Sequence, residues 1–193
     1  MTPSDTAGQR PGSNDVVVLL RQQHERIRDL LDEVLAHTGA EREHCFRLLV
    51  HLLAVHETAE EEIVHPYARR AVEGGGPVVD DRLKEEAAAK SALKRLEHLD
   101  VDDPGFVEEF TALRESVLAH AEAEERREFT RLRESGDPAT LQLLAKAVRA
   151  AEAVAPTRPH PGTETVAKNV VLGPAAAVAD RTRDAVRKVF RAG

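Results

Sequence analysis

Cysteine is almost missing from this sequence. Cys45 stands alone, which excludes an internal disulfide framework and any zinc site built on several thiolates. Aromatic residues are scarce, at 3% with no tryptophan, and alternating runs rich in Val, Thr and aromatics are hard to find, so β-structure is not expected. No apolar run reaches about 18 residues, so no membrane-spanning helix is expected, and residues 1–14 lack the apolar core of a signal peptide. A reducing cytoplasm is the expected compartment. There is no P-loop, nucleophile elbow or Gly-rich dinucleotide turn, because Gly74-Gly75-Gly76 runs into Pro77 rather than Lys and Ser or Thr. Basic charge is also short. The net charge is −7, and residues 156–193 carry seven Lys/Arg against three Asp/Glu, so the acidic excess lies in the preceding residues. Such a domain is unsuited to nucleic acid.

What the sequence does hold is helix-forming Ala, Leu, Glu and Arg in periodic order. Breaks near Gly39, Gly74–Pro77, Asp100–Asp103 and Ser135–Pro138 separate helices over about 15–37, 41–73, 78–99 and 104–134, with a shorter fifth to about 154. Long helices with short connections imply an all-α, up-down-up-down antiparallel four-helix bundle. The expected organisation is a disordered leader (1–13), the bundle (14–135), an additional short helix (136–155), a Pro-rich linker (156–173) and a basic amphipathic tail helix (174–193).

Polar residues interrupt the apolar seams of this bundle. The first helix presents Val17, Leu20, His24, Ile27, Leu31 and Val34 on one stripe; the second presents Leu49, Leu53, His56, Glu60, Ile63 and Tyr67. The fourth presents Phe106, Phe110, Leu113, Val117, His120 and Glu124. Leu83, Ala87, Lys90, Leu93 and Leu96 lie on or beside the apolar face of the third. A histidine and a carboxylate in a core seam are costly unless paired or bound to metal. In antiparallel neighbours, residues equidistant from the connecting loop share a height. His24 with His56, Glu60 with Lys90, and Lys90 with His120 all meet that condition, so one layer receives a polar residue from every helix. Imidazole and carboxylate donors together suit iron, manganese or zinc.

The pattern His24 … His56-x-x-x-Glu60-Glu61-Glu62 … His120-x-x-x-Glu124-Glu125 resembles the hemerythrin-like, or HHE cation-binding, domain family, over about residues 14–135. The resemblance implies a non-haem, usually di-iron, site in a four-helix bundle. His24 and His56 would hold one iron, His120 the other, and Glu60 and Glu124 would bridge. The family has a further histidine on the third helix, where this chain has Lys90. Glu86, one turn earlier, is a candidate substitute ligand. A charged Lys90 facing Glu124 would favour a single iron held by His24, His56 and Glu60; another divalent metal is an alternative to iron.

The expected function is therefore a non-haem iron protein that binds or senses oxygen, nitric oxide or peroxide at an atypical site. It is a binding protein rather than an enzyme, oxidase or peroxidase-like activity being the weaker reading. The alternative is a metal-depleted bundle serving as a structural or interaction module, with a protein partner reached through the tail helix. His44, His51 and His65 fall off the polar layer, and His65 is expected in solvent. Glu61, Glu62 and Glu125 are expected on a solvated face or as hydrogen-bond partners of histidines. Tyr67 and Cys45 are expected in the core.

Overall fold

The structure is a computed structural model and describes residues 14–153. The expected leader, Pro-rich linker and tail helix lie outside those residues. Helices α1 (Val16–Ala36), α2 (Gly39–Ala59), α4 (Gly75–Leu96) and α5 (Pro104–Ala123) form the body of the bundle. The second and fourth long helices are each interrupted once. A π turn at Glu60–Val64 joins α2 to α3 (His65–Ala71), and a second at Glu124–Glu128 joins α5 to α6 (Phe129–Ser135). Helix α7 (Pro138–Glu152) packs across α1, α2 and the first π turn. The described residues contain no strand.

Local chemistry sets the starts. Asp15, Asp103 and Asp137 are N-caps whose carboxylates accept from Val18, Gly105, and Ala139 with Thr140, and proline opens both α5 and α7. Gly74 takes φ +68° between α3 and α4, a left-handed conformation open to glycine at no steric cost. A Cβ on Gly75 would come within 2.2 Å of the Ala68 carbonyl oxygen, so only glycine lets the chain turn back so closely. Gly75, Gly76 and Pro77 belong to the first turn of α4 rather than to a linker, because proline costs nothing in a first turn.

The apolar core falls into two clusters. One joins Ile27, Leu31, Leu49, Leu53, Leu93 and Leu96 to the packed rings of Phe46, Phe106 and Phe110. The other joins Val17, Leu20, Ile63, Tyr67, Val79, Phe129 and Leu132 to Leu144 and Val148 of α7. Between them lies a layer of buried charge.

The buried stripe of α4 is Val79, Arg82, Glu86, Ala89, Lys90, Leu93 and Leu96, with Leu83 and Ala87 only partly buried at its side. That rotation carries Glu86 fully inside. Cys45 is a buried free thiol, and burial raises its pKa.

Candidate metal centre

Each seam histidine is held by one ring nitrogen and offers the other. His24 Nδ1 lies 3.0 Å from Glu125 Oε1, His56 Nδ1 2.8 Å from Gln23 Oε1, and His120 Nδ1 2.8 Å from Glu85 Oε2. Gln23 turns its amide nitrogen to Glu152, which leaves its oxygen for His56. All three partners accept, so Nδ1 is the donor in each contact and Nε2 is the ring nitrogen left facing the layer. The three Nε2 atoms converge. His24 and His56 Nε2 are 3.2 Å apart. Glu124 Oε2 lies 3.4 Å from both His24 and His120 Nε2, and Glu60 Oε2 lies 3.3 Å from His56 Nε2.

The carboxylates have few other partners. Glu60 and Glu124 are buried, and neither oxygen of either has a hydrogen-bond partner. Burial and the neighbouring Glu124 carboxylate hold the Glu60 pKa well above its ordinary value. Glu124 is displaced the other way, since His120 and His24 outweigh its burial. Burial and His24 beside it push the His56 pKa well below the usual imidazole value. Buried carboxylates without hydrogen-bond partners are expensive as they stand, and a divalent cation among these donors would satisfy them.

Two such groupings share an edge. His24, His56, Glu60 and Glu124 can bring one donor atom each within 4.8 Å of one another, and so can Glu60, Glu86, His120 and Glu124. All five residues read from the seams are therefore in one cluster, and Glu86 joins them. Lys90 does not. Its ammonium bonds Glu61 and lies 4.0 Å from Glu57, all three buried. Burial opposes the charge on Lys90, but Glu57 and Glu61 more than restore it, and its pKa is raised.

A near-repeat explains that placement. Adding 64 to α2 positions turns His56 into His120, Glu60 into Glu124 and Glu61 into Glu125; adding 62 to α1 positions turns His24 into Glu86 and Arg28 into Lys90. The contacts obey the same rule, since Arg28 bonds Glu125 as Lys90 bonds Glu61. Lys90 is thus the counterpart of Arg28, and the counterpart of His24 is Glu86. The expectation that Lys90 faces Glu124 is corrected accordingly.

His65 also departs from expectation. It is buried, with Nε2 2.6 Å from Glu86 and Nδ1 3.3 Å from Glu128. Burial works against its charge, but Glu86 and Glu128 raise its pKa well above the usual value. It lies nine residues after His56, half a turn away on a continuous α-helix. The π turn intervenes, its His65 N–H reaching back to the Glu60 carbonyl, and one extra residue rotates the remainder of the helix by about 100°. Glu61 is likewise buried rather than solvated, whereas His44 and His51 are exposed.

A cavity of about 140 Å³ adjoins the cluster, lined by His24, His56, His120 and Glu86 together with Ile27, Leu53, Ala89 and Val117. Exposed Glu85, Ala88 and Ser116 complete its wall, so it opens between α4 and α5.

The cluster makes the metal-depleted chain sensitive to base. Burial, and then like-charged neighbours, raise Glu57 to about 8 and Glu61 to about 7, with Lys90 opposing. For His120 burial opposes protonation, but Glu124 and Glu85 lift its pKa to about 9. Each group binds its proton more tightly folded than unfolded. The stability it contributes is complete below the unfolded values of 4.5 and 6.5 and is lost as pH rises through 7 to 9. His56 and Glu124 act oppositely, but below that window. Without metal, Tm should fall by roughly 5 °C or more between pH 6.5 and pH 9.5, measured by thermal melts at fixed ionic strength; a rise would contradict the burial of these carboxylates.

A helical bundle whose facing helices aim imidazoles and carboxylates at one buried point has the architecture of the metal-binding bundle proteins. Residues 15–132 match the Hemerythrin HHE cation binding domain, and the chain belongs to that family of cation-binding domains. The fold is shared with the crystal structure of a hemerythrin HHE cation binding domain-containing protein from Mycobacterium kansasii. Identity is 20%, the TM-score is 0.64, and the match covers 87% of this chain and 98% of that one. No curated protein matches the sequence. Among the described residues, no helix is long and apolar enough to cross a membrane.

Proposed function

We propose that this chain is a non-haem iron protein with two metal positions per chain, both open to iron when iron alone is supplied, and that it meets oxygen, nitric oxide or peroxide in the adjoining cavity. The observation that carries this reading is the pair of four-donor groups sharing Glu60 and Glu124, two buried carboxylates with no other hydrogen-bond partner. His24, His56 and His120 would supply terminal nitrogen donors, Glu86 a terminal oxygen, and Glu60 and Glu124 the bridges. Iron bound there would supply an open coordination position to a small ligand. The chain does the rest. Gln23, Glu85 and Glu125 fix the three imidazole planes, and the apolar wall from Ile27, Leu53, Ala89 and Val117 limits water and admits small neutral molecules.

Anaerobic loading with Fe(II) and then metal analysis is expected to give about two irons per chain, and nitric oxide should then produce new optical bands. Ala89→Phe, which fills the cavity from α4, should retain the iron but slow the nitric oxide reaction by roughly tenfold or more. A chain that folds and takes up no iron would favour the metal-depleted interaction module. Equal nitric oxide rates in the two proteins would place ligand entry elsewhere.

A further inference from the structure

The near-repeat matches the two groups donor for donor at three positions and differs at the fourth. Where the first has His24, the second has Glu86. The first group therefore offers two imidazole nitrogens and two carboxylates, the second one imidazole and three carboxylates. Glu86 is 2% exposed and bonds His65 through one oxygen, while its other oxygen, Oε2, is buried with no hydrogen-bond partner. Glu86 is also the residue that joins Glu60, His120 and Glu124 in the second group.

Carboxylate oxygens are harder donors than imidazole nitrogens, and replacing nitrogen by oxygen narrows the usual advantage of iron over manganese. We propose that the two positions differ in metal preference, the His24–His56 position selecting Fe(II) and the His120–Glu86 position accepting Mn(II), so that the chain is built for a mixed iron–manganese pair. This rests on the dinuclear reading above. Its determinant is Glu86. Lys90 takes no part, because it is already committed to Glu57 and Glu61. His65 reinforces the difference, since its hydrogen bond draws electron density from Glu86 and weakens it further as a donor to the softer metal.

The full-length chain, stripped of metal, is loaded anaerobically with Fe(II) and an about tenfold excess of Mn(II), desalted, and read by metal analysis and by electron paramagnetic resonance of manganese. The expected wild-type content is about one iron and one manganese per chain. Glu86→His, which copies the first position into the second, should carry about two irons and little manganese. Glu86→Gln, which keeps an acceptor for His65 but loses the charged donor, should keep its iron and lose manganese. Two irons in the wild type, as in Glu86→His, would overturn the preference. A single metal in the wild type would overturn the second position while leaving iron binding intact. Retention of neither metal would sink the iron reading itself, and the preference with it. If neither variant folds, the wild-type ratio of iron to manganese decides the matter alone.

Discussion

Glu124→Ala is expected to empty both metal positions at once, taking iron from about two per chain to near zero. Among the described residues, no other belongs to so many donor groups. Glu124 belongs to both four-donor groups and also to a third, with His65 and Glu128. One of its oxygens faces His24 from α1 and His120 one turn before it in α5. Losing it would remove a donor from both groups, along with the oxygen that His24 and His120 Nε2 share. His98→Ala should leave the metal content unchanged, because His98 is exposed near the far end of α4. Metal analysis of the three proteins, with circular dichroism to establish folding, is the check. Iron retained at the wild-type level in Glu124→Ala would mean that the two groups do not share this residue.

Glu60→Leu should lose metal too, yet gain stability. Measured without metal, it is expected to unfold at higher denaturant than the wild type, by about 1–4 kcal/mol. Glu60 is completely buried and none of its side-chain oxygens finds a hydrogen bond. Ile63, next along the seam, belongs to one apolar cluster, and leucine would extend that cluster toward Leu53 of the other, beyond His56. A chain selected only to fold would not keep glutamate there. The comparison must be made on metal-depleted proteins, since bound metal stabilises the wild type by mass action. A less stable Glu60→Leu would show that the carboxylate is satisfied by the protein alone.

Much of this was legible in the sequence because the bundle is regular up to the layer itself. His24, His56, Glu60, His120 and Glu124 fall on heptad-like stripes whose apolar members are buried, and loop-centred heights bring them together. The same arithmetic could not choose between Lys90 and Glu86. They are one turn apart on the same helix, and height alone resolves no better than a turn; the repeat linking α1 to α4 separates them, through Arg28 and His24. His65 and Glu61 were misplaced for another reason. Periodicity assumes constant phase, and each π turn changes it by one residue, beginning at Glu60 and at Glu124. The run Glu60-Glu61-Glu62 looks like a solvated face for as long as the helix is taken to be uniform.

The layer of charge has a kinetic consequence as well. It interrupts apolar contact along the bundle, so the clusters on either side can open separately, each at less cost than unfolding the whole. They are not fastened alike. The half built on Phe46, Phe106 and Phe110 is closed by short connections and by Arg42, which ties Val34 to Val101 through its guanidinium. The other half relies on α7, a separate helix laid over α1 and the first π turn. Amide exchange should therefore be faster around Ile63, Phe129 and Leu144 than around Leu49 and Phe110. A cation too large and too hydrated to pass the apolar cavity would enter and leave through that looser end, at a rate set by the undocking of α7.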